Sequence, residues 1–388
     1  MSKVGSIIEQ IRGVSYKPED VHDKLTEDSV ILLRANNIKD GMLNFDDIVF
    51  VDRKKVSAVQ YLKAGDILVC ASSGSKELVG KATHIEQDMD TTFGAFCKVV
   101  RPKIECTSYL GHYFQSPIYR KQISALSAGV NINNIRNEHI DSLEIPLPHL
   151  ETQKQIAATL DKVTDLINKR KQQLEKLDEL VKSRFIEMFG IVTENPYGFQ
   201  MATLKEVCHK ITDGKHGGCE QEADSGYYYV GAREIHDDCI HYDTAPQITC
   251  ADFFKDYKRC NIERGDMVIV NTGATIGKTA IATSPLTERT LLQKSVALLK
   301  VKTEIICAEF LRHCYIVNPS MYKVESASAQ PNLLLSRMNV TRIYLPPIEL
   351  QQQFVAFVYQ TDKSKKQIQQ ILEKLETLKK SLMQEYFG

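Results

Sequence analysis

The feature that most constrains the fold is a segment that occurs twice with nearly the same sequence. LEKLDELVKSRFIEMFG occupies residues 174–190, and LEKLETLKKSLMQEYFG occupies residues 372–388. Through and before each copy, apolar residues recur at steps of three and four. A period of 3.5 held over about five heptads is typical of a coiled-coil seam. The sequence therefore predicts two long helices, over residues 148–190 and 346–388, each about 60 Å long at 1.5 Å per residue.

The predicted seams combine apolar and charged positions. Arg170 and Arg184 interrupt the first seam, and Lys365 and Lys379 interrupt the second. Polar seam residues weaken a coiled coil but specify its register and partner. We therefore expect the two helices to pair with each other. The apolar positions that we predict to form the coiled coil and bind a partner are Leu174, Leu177, Val181, Leu372, Leu375 and Leu382.

Composition favours a cytoplasmic protein of two or three domains. The chain has 388 residues, of which 43% are hydrophobic and 25% charged, and its formal net charge is zero. No apolar run approaches the roughly 20 residues that a membrane span needs, and the first residues do not resemble a secretion signal. The ten cysteines form no C-x-x-C pair, so we expect reduced thiols. A neutral chain does not by itself predict nucleic-acid binding.

Globular segments precede both predicted helices, over residues 1–147 and 191–345. In the first segment we predict a helix over residues 6–11, strands over residues 30–33, 48–51, 67–71 and 96–100, and a second helix over residues 109–121. The second segment repeats parts of this order. Gly65-Asp66-Ile67-Leu68-Val69 returns as Gly265-Asp266-Met267-Val268-Ile269. A tandem duplication in which the loops diverged more than the scaffold explains both halves.

Short motifs at the start of each long helix carry a family resemblance. They read Leu147-Pro148-His149-Leu150-Glu151-Thr152-Gln153 and Leu345-Pro346-Pro347-Ile348-Glu349-Leu350-Gln351. Phe189-Gly190 followed by Asn195-Pro196-Tyr197-Gly198-Phe199 resembles a junction between two recognition domains. Over essentially its whole length the chain resembles the specificity subunits of type I restriction-modification systems. His149 and Phe199 depart mildly from the usual residues.

The resemblance implies an α+β fold with two mixed α/β target-recognition domains, separated by a pair of long antiparallel coiled-coil helices, and internal pseudo-twofold symmetry. It also implies a protein without catalytic activity or cofactor that reads a bipartite site on double-stranded DNA. Two methyltransferase subunits and, in some systems, two translocating endonuclease subunits are the implied partners. An antiparallel pair would relate two half-sites by a twofold axis.

Three groups of polar loop residues are candidates for DNA contact. Bases are read chiefly by Arg or Lys on guanine and by Asn or Gln on adenine, whereas any hydrogen-bond donor can contact phosphate. Each candidate could equally be a solvated loop residue or a local turn former. The candidates are Arg34, Asn36 and Arg233 after the first strand of each domain; Ser73, Lys76, Lys81, Thr272, Thr275 and Lys278 after the Gly-Asp strands; and Asn131, Asn133, Asn134, Gln330 and Asn332 before the prolines.

Two motifs suggest other chemistry. Residues 273–279, GATIGKT, resemble a phosphate-binding loop, but that loop needs four residues between its glycines and here there are three. We expect a hairpin-like loop that carries Lys278. A second set has the residue types and local spacing of a zinc site, although ordinary thiols and loop histidines also explain it. That set comprises Cys208, His209, His216, Cys219, His236, Cys239 and His241.

Other functions make different demands on the sequence. A coiled-coil adaptor that binds only proteins would share the long helices but would not bind DNA. A self-sufficient methyltransferase would need an Asn/Asp-Pro-Pro-aromatic motif, and Asn195-Pro196-Tyr197 lacks one proline. The absence of a G-x-S-x-G elbow likewise argues against hydrolase catalysis.

Overall fold

The structure is a computed structural model that describes residues 1–75, 77–126, 133–322 and 332–388. These residues form two compact units. Unit 1 comprises Met1–Gln172 and Gln369–Gly388, and unit 2 comprises Gln173–Ile368. Each unit therefore contains one globular segment and a part of each long helix.

Unit 1 begins with short strands and short helices. The strands are β1 (Ser2–Lys3), β2 (Ile8–Arg12), β3 (Val21–His22), β4 (Ser29–Leu33), β5 (Ile38–Lys39), β6 (Met42–Leu43), β7 (Val49–Asp52), β8 (Ile67–Cys70), β9 (Ser72–Ser73), β10 (Ala82–His84), β11 (Thr91–Phe93), β12 (Cys97–Pro102), β13 (Asn133–Asn134) and β14 (Glu144–Ile145). The helices are α1 (Thr107–Gln115), α2 (Pro117–Leu126), α3 (Asn137–Asp141) and the long α4 (Leu150–Phe189).

Two four-stranded sheets form the centre of unit 1. The sheet of order β10-β8-β12-β2 is antiparallel, and the sheet of order β11-β4-β7-β3 contains the parallel pair β11–β4. The Gly-Asp motif is the turn into β8: Gly65 has a φ of +89°, and the Asp66 carboxylate accepts the Lys63 N–H at 2.8 Å. Asp66 also pairs with Arg101 on β12, so the motif has a structural role.

Unit 2 repeats this plan. Its strands are β15 (Gln200–Thr203), β16 (Cys208–Asp213), β17 (Tyr228–Val230), β18 (Ile235–His236), β19 (Cys239–Ile240), β20 (Met267–Val270), β21 (Thr279–Ile281), β22 (Thr290–Leu292), β23 (Val296–Val301) and β24 (Arg342–Leu345). Its helices are α5 (Leu204–Val207), α6 (Cys250–Cys260), α7 (Ala308–Val317), α8 (Leu335–Val340) and the long α9 (Ile348–Phe387).

One four-stranded sheet of unit 2 matches its counterpart in unit 1 strand for strand, and the second sheet matches in its parallel pair. The order β16-β23-β20-β21 corresponds to β2-β12-β8-β10, and the parallel pair β17–β22 corresponds to β4–β11. Asp266 repeats the turn of Asp66: it accepts the Glu263 N–H at 2.8 Å and pairs with Lys300 on β23. The expected duplication is confirmed at the level of topology.

The two long helices run antiparallel within each unit. In unit 1, Leu160 near the start of α4 shares a core with Phe387 at the end of α9. In unit 2, Phe185 near the end of α4 packs on Phe354 near the start of α9, with ring centroids 5.3 Å apart. Lys365, one of the predicted polar seam residues, joins the helices in unit 2 by pairing with Asp178 at 2.5 Å.

The repeated helix ends complete the cores of the globular segments. In unit 2, Phe189 packs against Phe310 of α7 at 4.8 Å between ring centroids. In unit 1, the corresponding Phe387 packs against Tyr109 of α1 at 5.2 Å. Both phenylalanines are at most 2% exposed. Since each repeat fills an equivalent core position, packing alone is a reason for the two copies to stay alike.

Two local predictions were wrong. Residues 6–11 do not form a helix; Ile8–Arg12 is strand β2, paired with β12, because sheet pairing overrides a weak local preference. The helix expected over residues 109–121 is two helices that meet at Ser116-Pro117. Proline has no N–H to continue the helical ladder. The four predicted strands correspond to β4, β7, β8 and β12 within a few residues at each end.

Candidate nucleic-acid interface

In each unit, the loop after the central strand lies beside the polar segment that precedes the prolines. In unit 1, β9 pairs with β13, so that Ser73 lies opposite Asn133. In unit 2, Thr272 bridges to Asn332, and the Thr272 hydroxyl lies 3.2 Å from Asn332 Oδ1. Two predicted groups that are about 60 residues apart in the chain thus lie together in both units.

A short 3₁₀ turn after the first parallel strand carries the third predicted group. The turns are Ala35–Asn37 and Ala232–Glu234. Asn37 Oδ1 accepts the Arg34 N–H, and Glu234 Oε2 accepts the Gly231 N–H, both at 2.8 Å. Because the two caps correspond, Asn36 and Arg233 occupy equivalent positions, and both are exposed.

Three of the predicted residues line one surface cavity in unit 1. Arg34, Asn36 and Ser73 border a cavity of about 500 Å³. Much of the remaining lining is apolar or aromatic: Tyr16, Ala35, Leu78, Phe96 and Cys97. Guanidinium, amide and hydroxyl groups on one concave surface, beside apolar contacts, are the groups that read base edges.

Asp47 holds two of these side chains and was not predicted. Its carboxylate pairs with Arg34 Nη2 at 3.0 Å and accepts a hydrogen bond from Asn36 Nδ2 at 2.6 Å. The Asp47 side chain is 69% exposed, so the ion pair itself stabilises the fold little. It orients a guanidinium and an amide toward the same cavity.

Gln293 in unit 2 is a second residue that sequence reasoning missed. A Cβ at residue 231 would lie 2.4 Å from Gln293 Oε1, so the glycine at 231 lets this amide lie over the turn that carries Arg233. The equivalent residue in unit 1 is Gly94, where Tyr16 occupies the nearby space instead. The sequence signal was Gly231 itself, directly before the turn.

Lys81 and Lys278 lie elsewhere in their units. They are equivalent, because their carbonyls accept the N–H groups of Cys70 and Val270 at 2.8 Å. Lys81 lines a cavity with Thr164 and Lys379 of the long helices, and Lys278 lines one with Asp178 and Lys365. Lys81 is not among the residues that line the Arg34 cavity. DNA contact by these two lysines stays a prediction.

The remaining candidates divide into described and undescribed residues. Asn134 is exposed, and Thr275 is half-buried in the loop between β20 and β21. That loop joins two antiparallel strands, as expected for a hairpin, whereas a phosphate-binding loop leads from a strand into a helix. Lys76, Asn131 and Gln330 lie outside the described residues, as does the side chain of Asn133.

The predicted coiled-coil positions are buried or half-buried. Val181 and Leu372 are buried, and the others are half-buried. Two leucines that the sequence analysis did not select are more exposed: Leu180 at 48% and Leu378 at 46%. They occupy the same place in the two repeats, so any surface that they form occurs twice in the chain.

Thiols near the unit 1 cavity are not nucleophiles. Burial raises the pKa of Cys70 to about 11. Burial also raises the pKa of Cys97, which lines the cavity. A thiol attacks as the thiolate, so neither is activated near neutral pH. All ten cysteines are free, in agreement with the expected reduced state.

The cysteines and histidines that have the residue types of a zinc site do not come together as one set among the described residues. Among the described residues, the side chains that lie close enough to share an ion are His236, Asp237 and His241, with ligand atoms within 4.8 Å of one another. The two imidazoles stack at 3.6 Å with an interplanar angle of 8°. An ion lies near the plane of each imidazole that binds it, and two parallel planes share no point. In this conformation the two rings do not bind one metal ion.

Among helices of the described residues, none combines the length and the apolarity that a membrane crossing requires.

Comparisons with known proteins agree with this architecture. The model of the "Type I restriction modification DNA specificity domain" family matches twice, over residues 27–176 and 196–377. The EcoKI specificity subunit of Escherichia coli K12 is 28% identical over 416 residues, covering 100% of this chain and 88% of that protein. The StySPI specificity subunit of Salmonella potsdam is 40% identical over 180 residues, covering 46% of this chain and 39% of that protein.

Solved structures share the fold. The S subunit of a type I restriction-modification system from M. genitalium aligns with a TM-score of 0.57 at 16% identity, covering 100% of this chain and 95% of that one. A second structure, from a study of complex assembly in a type I system, aligns with a TM-score of 0.56 at 18% identity, covering 99% and 96%. With the two matches of the family model, the chain belongs to the type I restriction-modification DNA specificity family, whose members recognise DNA and are not themselves catalytic.

Proposed function

We propose that each unit reads one half of a bipartite target on double-stranded DNA. The observation that carries this proposal is the match between two scaffolds whose exposed side chains differ. Equivalent positions hold Asn36 in unit 1 and Arg233 in unit 2, which suit adenine and guanine respectively. Two copies of one scaffold with different side chains at these exposed positions can read two different half-sites. The proposed recognition domains are residues 1–147 and 191–345, with helical spacers over 148–190 and 346–388.

Electrophoretic mobility shift with the complete complex tests DNA reading. The chain is co-expressed with its methyltransferase, and binding to its own methylation target is compared with binding to a scrambled duplex at several salt concentrations. We expect at least a thousandfold preference for the target, with affinity falling as salt rises. Equal, weak binding to both duplexes would support an adaptor that binds only proteins.

We further propose that the long helices hold two methyltransferase subunits and, where the system contains them, two restriction subunits. The support is the repetition of exposed apolar residues, Leu180 and Leu378, beside the predicted coiled-coil positions. An exposed leucine at the same place in two nearly identical segments suits two identical guests. This complex would act on DNA in the cytoplasm.

Native mass spectrometry with paired variants tests the stoichiometry. The wild-type chain should bind two methyltransferase subunits, each single variant Leu180→Glu or Leu378→Glu should bind one firmly, and the double variant neither. The matched control is Lys176→Gln with Lys374→Gln, which changes a charge at equivalent positions of the two repeats. One bound subunit in the wild type at high concentration, or unchanged binding in the double variant, would refute this arrangement.

A further inference from the structure

The two candidate interfaces differ chemically at residue 96 and its counterpart, residue 295. The Phe96 carbonyl accepts the Ala71 N–H at 2.8 Å, and the Ser295 carbonyl accepts the Asn271 N–H at 3.0 Å. One residue further on, Cys97 and Val296 donate to the carbonyls of Gly94 and Gln293. Phe96 and Ser295 therefore occupy the same position of the scaffold, with a phenyl group in unit 1 and a hydroxyl in unit 2.

The phenyl ring of Phe96 is not part of the core of unit 1. It is 64% exposed, although the next residue, Cys97, is buried. An isolated exposed apolar residue is common on protein surfaces and needs no function. Phe96 differs because it lines the same cavity as Arg34, Asn36 and Ser73. Its ring lies where those polar groups would meet a ligand.

DNA offers one apolar group among the base edges of its major groove, the C5-methyl of thymine, and phenylalanine is among the side chains that contact it. Adenine, the partner of thymine, presents the N6 and N7 edge that an amide such as Asn36 recognises. A phenyl ring and an amide on one cavity therefore match the two bases of one A·T pair, or of neighbouring pairs.

We propose that Phe96 reads a thymine methyl, so that the half-site bound by unit 1 contains an A·T pair that the protein recognises through this group. The unit 2 position, Ser295 beside Gln293, carries no such apolar contact. This inference rests on the proposed function, because it assigns a ligand group to one of the two candidate interfaces. A ring inserted between base steps is the competing geometry, and it would not depend on the methyl group.

The test uses deoxyuridine, which differs from thymidine only by the missing C5-methyl. The half-site read by unit 1 is assigned by exchanging residues 1–147 with those of a relative. Each thymine in that half-site is then replaced in turn, and binding by the complex with methyltransferase is measured. At one position we expect about fourfold weaker binding, the effect of one buried methyl group.

Variants at residue 96 separate methyl reading from other effects. Phe96→Ser should be indifferent to deoxyuridine at that position, so it should weaken binding to the thymine target about fourfold more than binding to the deoxyuridine target. Phe96→Leu should retain most of the discrimination. Ser295→Ala is the matched control in unit 2 and should leave the deoxyuridine effect unchanged. Since Phe96 is exposed, these variants should keep the wild-type melting temperature.

The outcomes distinguish this inference from the proposed function. Specific binding with no deoxyuridine effect in the unit 1 half-site, or an equal effect in wild type and Phe96→Ser, would overturn the inference alone. A unit 1 half-site without any A·T pair would do the same. A complex that binds no duplex specifically would overturn the proposed function itself.

Discussion

At the scale of single residues, Asp47 shows what sequence reasoning found and what it missed. Arg34 and Asn36 were predicted because their side chains suit base edges and they follow a strand. Asp47, which contacts both, lies in a different loop and carries no base-reading signal of its own. Phe96 and Gln293 were missed for the same reason: their places at the candidate interfaces depend on neighbours that only folding brings close.

Asp47→Asn should increase non-specific DNA binding and reduce discrimination. Removing a carboxylate beside Arg34 removes its repulsion of phosphate, so the salt dependence should steepen by about one unit of slope. The Asn36 amide and the Arg34 guanidinium also lose the Asp47 carboxylate that orients them. Titrations on target and scrambled duplexes measure both effects. Asp46→Asn is the control, because Asp46 bonds to Asn44; equal loss of discrimination in both variants would show that only net charge matters.

Burial and ion pairing have opposite effects on the pKa of Glu309 in unit 2. Burial alone would raise the pKa of this carboxyl, but His313 and Arg312 lower it to about 2. Its folded-state pKa thus lies below the ordinary value of 4.5, so its stabilisation is complete above about pH 4.5 and is lost as pH falls toward 2. The linkage corresponds to about 3 kcal/mol, and removing one partner of a buried pair has a similar cost.

Glu309→Gln should therefore lower the free energy of unfolding by about 3 kcal/mol at pH 7, with the difference from wild type shrinking below pH 4.5. Urea titrations followed by circular dichroism at several pH values measure it. Glu304→Gln, a change at an exposed position shortly before helix α7, should alter stability by less than about 0.5 kcal/mol. A pH-independent difference between Glu309→Gln and wild type would contradict this account.

At the scale of elements, the long helices were predictable because a period of 3.5 over many turns leaves few alternatives. Helix α4 spans Leu150–Phe189 and helix α9 spans Ile348–Phe387, close to the predicted boundaries. The short strand β2 was predicted as a helix because its few residues carry no clear period. Its partner, β12, lies far along the chain, and local sequence does not reveal that pairing.

The glutamine shared by both helix-entry motifs has a structural role that differs in strength between copies. Gln351 is fully buried; its Nε2 donates to the carbonyls of Pro346 and Ile305, and its Oε1 accepts the Cys307 N–H at 2.9 Å. Gln153 is 6% exposed and donates to the Pro148 carbonyl at 2.8 Å. Its own Oε1 is buried without a partner among the described residues.

Gln351→Met should therefore lower stability more than Gln153→Met. The first change leaves a buried N–H and two carbonyls without this partner, at a cost of about 2–3 kcal/mol; the second removes one hydrogen bond together with an unpaired oxygen, at about 1 kcal/mol or less. Differential scanning calorimetry of both variants measures the ranking. Equal losses would mean that packing, rather than hydrogen bonding, explains the motif.

At the scale of the whole molecule, the chain consists of two units with similar topology, and each long helix contributes residues to both units. The end of α4 contributes Phe189 to the core of unit 2, and the end of α9 contributes Phe387 to the core of unit 1. Each copy of the repeat therefore fills one core. The duplication was visible in the sequence because these core positions stayed alike. The targets were not visible, because the side chains that we propose to read bases, Asn36, Arg233 and Phe96, lie at positions where the copies differ.

Methylome sequencing of a host that expresses the complete system tests the central claim, that two units read two half-sites independently. The wild-type chain should produce one methylated motif with two specified parts and an unspecified gap. After residues 1–147 are exchanged for those of a relative, one part of the motif should change while the other part stays the same. A continuous motif, or a change in both parts after exchange of one domain, would contradict independent reading by the two units.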